Sequence, residues 1–121
     1  MTNAQTDIIN MNTVAEAKSL MNERFPMMVK YFLEDTQMYL EEIEAGVQKK
    51  NVEMAISPAH TIKSSAKQLG AERVSSVAKA IEELCRNISE NGASGFAEFE
   101  TLYNQLKEEV DIATPELKKL C

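Results

Sequence analysis

The chain's sole histidine, His60, stands in a run with two lysines and a serine at helical spacing. At about 100° per residue, Ala55, Ile62, Ala66 and Leu69 fall on one side of a helix, and Glu53, His60, Ser64 and Lys67 on the other. The imidazole is therefore expected to face water rather than the core. Lys63, Ser64 and Lys67 follow it at i+3, i+4 and i+7, so two ammonium groups and a hydroxyl gather beside the ring, a setting suited to an anion. An imidazole, with an ordinary pKa of about 6.5, can offer one ring nitrogen as a nucleophile while the other keeps its proton. The plainer alternative is an incidental surface histidine among solvated charges.

The run from His60 to Gly70 resembles the signature of histidine-containing phosphotransfer (HPt) domains, H-x-[LI]-K-G-[SA]-[SA]-x-x-[LIV]-G, with Ser64 where the family usually has glycine. The resemblance extends into the next helix. Members of several types carry a Gln or Glu that hydrogen-bonds the histidine ring at the position of Glu82, and some carry a basic residue at that of Arg86. The resemblance implies that His60 accepts the phosphoryl group, with Lys63 and Glu82 completing the catalytic set. Ser64, Lys67, Arg86, Ile56 and Lys79 would then meet the phosphoryl group or the partner. A Glu82 carboxylate accepting the second ring proton would fix the tautomer, and Lys63, with Lys67 and Arg86, would neutralise phosphoryl charge. The partners implied are receiver domains, those of response regulators and of a hybrid sensor histidine kinase. Mg²⁺ is expected on the receiver, and no cofactor or metal on this chain. The second reading is a helical adaptor that binds such a partner without being phosphorylated.

Length and composition set bounds on these readings. At 121 residues the chain is expected to form one domain, residues 11–121 behind a flexible tail at 1–10, with no room for an ATP-binding kinase domain. It contains no Gly-rich phosphate loop, so phosphorylation from ATP by the chain itself is not expected. Seven aromatic residues without tryptophan fit a soluble helical protein, and neither a signal sequence nor a membrane span is apparent, so a cytoplasmic monomer is expected. The net charge of −6 disfavours nucleic acid. Yet five basic and three acidic residues lie between His60 and Arg86, leaving that stretch basic within an acidic whole. Cys85 falls on an apolar stripe, and no disulfide or metal set is expected with Cys121.

The elements that must position His60 read as helices throughout. Thr13 to Glu16 has the spacing of a capping box before a short helix ending near Met21, with Val14, Ala17, Leu20 and Met21 as its apolar members. Phe25 to Lys49 carries a long stripe whose methionines and aromatics read as packing, with Pro26 in the first turn. Asn51 should cap the next helix, the one that carries the histidine. Pro58 either lies inside that helix or opens it behind a Ser57 cap, and Gly70 should end it in left-handed backbone. Ala71 to Ser89 has a stripe through Val74, Ala78, Ile81 and Cys85, flanked by Ser75, Lys79, Glu82 and Arg86. The last helix should begin after a Ser94 cap and break or kink at Thr114–Pro115. The fold class expected is all-α, an antiparallel up-down-up-down four-helix bundle with a short N-terminal capping helix. With a tight turn at Gly70, counting about 1.5 Å per residue up and back brings Glu82 near the level of His60.

Overall fold

A computed structural model describes residues 8–92 and 94–121, and these form five helices: α1 (Met11–Met21), α2 (Phe25–Lys49), α3 (Glu53–Gln68), α4 (Glu72–Asn91) and α5 (Phe96–Lys118). A 3₁₀ turn at Asn22–Arg24 joins the first two, and no strand occurs among the described residues. Helix α2 packs on α3, α3 on α4, α4 on α5, and α5 closes the ring on α2, while α1 lies against α2 and α3. Each apolar stripe therefore finds two neighbours. The helices of the ring run antiparallel. Tyr103 reaches Glu44 towards one end of the α2–α5 pair, and Pro26 faces Lys118 towards the other. This is the helical bundle that the periodicity predicted.

The core is built by Ile43, Ile62, Leu69, Ile81, Phe99, Leu106 and Leu117, all essentially inaccessible to water. Burying each such side chain contributes about 1.5–3 kcal/mol. Cys85 belongs to the same core, and burial pushes its thiol up to about 12.

Several local expectations change. The N-cap of α1 is Asn10 rather than Thr13: its side-chain oxygen accepts from the amides of Asn12 and Thr13. Tertiary contacts select it, because the Asn10 amide donates to the Gly70 carbonyl at 2.8 Å and its Nδ2 to Glu72 at 3.1 Å. Residues 1–7 of the expected tail lie outside the described residues, whereas Asn10 at its end is fixed. Leu20 is not packed but 82 % exposed, off the row of Val14, Ala17 and Met21 that faces the bundle.

Helix α3 resolves the choice at Pro58, which lies inside it. A buried proline there removes one backbone hydrogen bond, but Ala55, Ala59 and Ile62 around it are fully buried, and their packing outweighs that loss. Asn51 does accept from the Glu53 amide, at 3.2 Å. The same principle carries α5 through Pro115: Ala113 and Leu117 on either side are buried, so the helix does not break. Gly95 rather than Ser94 precedes α5, and no side chain caps it.

The α3–α4 connection is what brings two helix faces into register. Gly70 has φ +80°, the Ala71 amide returns to the Ala66 carbonyl, and the Gly70 amide to that of Lys67. This is a Schellman closure that satisfies the last carbonyls of α3 within two residues.

Candidate functional site

His60, on the outward face of α3, is the residue from which the site is built, with 53 % of its side chain exposed. Nδ1 of the ring lies 2.9 Å from Oε2 of Glu82 on α4. A carboxylate only accepts, so Nδ1 carries the proton and donates, and Nε2 is left with its lone pair. The Lys63 ammonium, one turn beyond His60, donates to the other carboxylate oxygen, Oε1, at 2.7 Å. Arg86, one turn beyond Glu82, donates to Oε2 through Nε at 3.1 Å and Nη2 at 2.9 Å.

Glu82 is only 6 % exposed. Burial alone would raise its pKa, but hydrogen bonds from Lys63, Arg86 and His60 outweigh burial and hold it down at about 2. The carboxylate is therefore ionised at any physiological pH and serves as an acceptor rather than a base. With a neutral ring, the four side chains sum to one positive charge. Sequence periodicity set Glu82 beside the buried stripe, and the resemblance made it the acceptor of the ring proton. The structure puts it beneath Lys63 and Arg86, inside the α3–α4 seam.

Ser75 is a member of this arrangement that sequence reasoning passed over. It is buried, and its hydroxyl donates to the Lys63 carbonyl at 2.8 Å, tying α4 to the residue of α3 whose ammonium holds Glu82. Its place in the row Ser75, Lys79, Glu82 was the only available signal.

The remaining candidates lie apart from this cluster. Lys67 and Lys79 are exposed and line a shared cleft between α3 and α4, with Ser76 between them. Neither makes an ion pair among the described residues. Ser64 is exposed and turns towards α1, bordering a recess with Lys67, Thr13 and Leu20. Ile56 is half-buried against the core.

Beside His60 on the other flank runs a groove between α2 and α3 of about 530 Å³, reaching from Thr61 to Gln68 along α3. Its α2 wall includes Met27, Met28, Tyr31, Phe32 and Tyr39, of which Met27 and Tyr31 are half exposed. The stripe residues expected to pack do so, with Phe25 and Phe32 buried and Met28 and Tyr39 against the core, while Met27 and Tyr31, outside that stripe, leave the flanking row open. Among the described residues no group of three or more His, Cys, Asp or Glu could hold a metal ion, and no helix is long and apolar enough to cross a membrane.

Comparison with known proteins identifies the family and the fold. The sequence profile of the Hpt domain matches residues 27–112. The fold is similar to the crystal structure of histidine-containing phosphotransfer protein B (HptB) from Pseudomonas aeruginosa PAO1, with a TM-score of 0.84 over 94 % of each chain at 19 % identity. No curated protein sequence matches the chain.

Proposed function

The chain belongs to the Hpt domain family, whose members carry out histidine phosphotransfer in phosphorelays, and from this premise we propose that His60 is its phosphoacceptor. One observation carries the reading: Glu82 holds the Nδ1 proton while the half-exposed ring leaves Nε2 to an incoming group. In the forward step the Nε2 lone pair attacks phosphorus. An N–P bond forms, the P–O bond to a receiver's aspartate breaks, and the electron pair leaves with that carboxylate. Nδ1 keeps its proton, so the phosphorylated ring gains positive charge, and the ionised Glu82 beside it stabilises that charge as it develops. Reversal towards a second receiver expels a neutral imidazole, a good leaving group.

Hpt domains interact with receiver domains, and those of a hybrid sensor kinase and of a response regulator are the donor and acceptor we infer. The receiver would bring the aspartate and its own Mg²⁺; this chain would supply nucleophile, acceptor and cations. The apolar groove begins at Thr61, next to His60, and a cleft of mixed charge bearing Lys67 and Lys79 lies further along α3 and α4; together they offer a receiver a surface of mixed character. A cytoplasmic monomer is consistent with this role.

The test is to incubate the chain with phosphorylated receiver domains of the same genome. Label should pass to the chain, be labile in acid and stable in base as a phosphoramidate is, and be absent from His60→Gln. Label persisting on His60→Gln would rule out the assignment, since no other histidine exists. Binding of a receiver without any label would favour the adaptor reading.

A further inference from the structure

Glu82 Oε2 is shared: the His60 Nδ1–H and two nitrogens of Arg86 all converge on this one oxygen, while Lys63 takes Oε1. An oxygen that accepts two N–H groups from a guanidinium has less charge to offer a third donor. We propose that Arg86 is a positioning residue that sets the proton affinity of His60 through Glu82, and that it is not primarily a cation for the phosphoryl oxygens. The inference deepens the reading of His60 as phosphoacceptor and rests on it for its consequence, but not for its measurement.

Two opposing demands fall on the carboxylate. At hydrogen-bond distance it fixes the useful tautomer, yet it also favours the imidazolium, which has no lone pair at Nε2 and cannot attack phosphorus. Arg86 relieves that conflict. By occupying Oε2 it keeps the acceptor in place for Nδ1–H while drawing off the charge that would stabilise a second ring proton. Lys63 does the same from Oε1, and being less exposed it also anchors the carboxylate when Arg86 is gone.

Other charges around the ring do not substitute for this contact. On α3, Lys67 lies two turns beyond His60. On α4, Glu83 follows Glu82 and Lys79 lies about one turn before it, both exposed, and on α2, Asp35 and Tyr39 stand across the groove from Thr61. Among the described residues only His60, Lys63 and Arg86 come within ion-pair distance of Glu82.

The chain's single imidazole gives one resonance to follow, so the test is an NMR pH titration of the unphosphorylated protein, paired with pH profiles of phosphoryl uptake. Arg86→Ala should move the His60 midpoint upward, beyond the spread of replicate titrations. Arg86→Lys, which keeps the charge but not the two-nitrogen grip, should move it by less. In a Glu82→Gln background, Arg86→Ala should move it hardly at all. The acid limb of uptake should follow the midpoint, so that the rate of Arg86→Ala relative to wild type climbs as pH rises. An unmoved midpoint would overturn the proposal, as would an equal shift persisting in the Glu82→Gln background, which would mean direct repulsion between Arg86 and the ring. A rate deficit constant across pH would assign Arg86 to the phosphoryl group instead. Absence of uptake in the wild type would remove the phosphoacceptor reading while leaving the titration result to stand or fall alone. Arg86 is half exposed, and far-UV circular dichroism of each variant verifies the helices; should Arg86→Ala not fold, the Arg86→Lys shift alone decides.

Discussion

The Gly70 carbonyl accepts the Asn10 amide at 2.8 Å, and the same glycine has so little room that a Cβ would lie 2.6 Å from the Asn10 carbonyl oxygen. Glycine is thus required twice over at the turn that sets α3 against α4, by its φ of +80° and by the stretch of backbone pressed on it. Gly70→Ala should cost about 2 kcal/mol or more, measured as a lowered urea midpoint at unchanged slope. Stability within a few tenths of wild type would mean that the Asn10 segment simply moves aside.

Lys50 adopts the same left-handed backbone at the end of α2, φ +53°, but with a side chain that opposes it. Lys50→Gly should stabilise the chain by ~0.5–1 kcal/mol, the relief of that conformation less the added freedom of the unfolded glycine. Chemical denaturation decides, and a loss of stability would contradict the account.

Acid should weaken the fold partly through Glu82. Its pKa is about 2 in the native site against an ordinary 4.5, so the unfolded chain takes up the proton first as pH falls. The stabilisation is complete above about 4.5 and disappears as pH drops through about 2; its size is on the order of 3 kcal/mol. Urea midpoints at pH 6 and pH 3 should therefore converge more in Glu82→Gln than in wild type. Parallel losses in both proteins would show that other carboxylates govern acid unfolding.

We expect Ser64 to narrow the approach to His60. It is exposed one turn along the helix, where the HPt signature has glycine, and it borders the recess beside α1. Ser64→Gly should speed transfer by a factor of about 2–10, at most ~1.4 kcal/mol of barrier, or widen the set of receivers accepted. If Ser64→Gly and Ser64→Ala both slow transfer against two or more receivers, the hydroxyl assists instead.

Spacing made much of this legible. Spacing put Lys63 beside His60 and Arg86 beside Glu82, and a count of the rise up and back from the Gly70 turn put Glu82 near the level of His60, whereas the contact between Glu82 and the ring was expected from the resemblance to HPt domains. Spacing could not reveal that Glu82 is buried. That depends on how far α3 leans over α4, which Ser75 and the small residues Ala59, Ala66 and Ala78 permit. Pro58 left two helix starts open and Pro115 suggested a break or kink for a related reason: each carries a local cost that only tertiary packing offsets, and packing is invisible to a one-helix argument. The true N-cap of α1 escaped notice because Asn10 is selected by Gly70 and Glu72, both sixty or so residues away. The α2–α3 groove escaped because one apolar stripe on α2 is wider than the core it serves.

The two cysteines differ in a way that is useful at the bench. Cys85 is sealed in the core with its thiol pushed up to about 12, whereas Cys121 is exposed at the α2–α5 groove, on the opposite edge of the ring from the α3–α4 seam. A maleimide dye at neutral pH will therefore react at one thiol only. Fluorescence polarisation from that dye would report each encounter with a receiver while leaving the imidazole and its carboxylate chemically untouched.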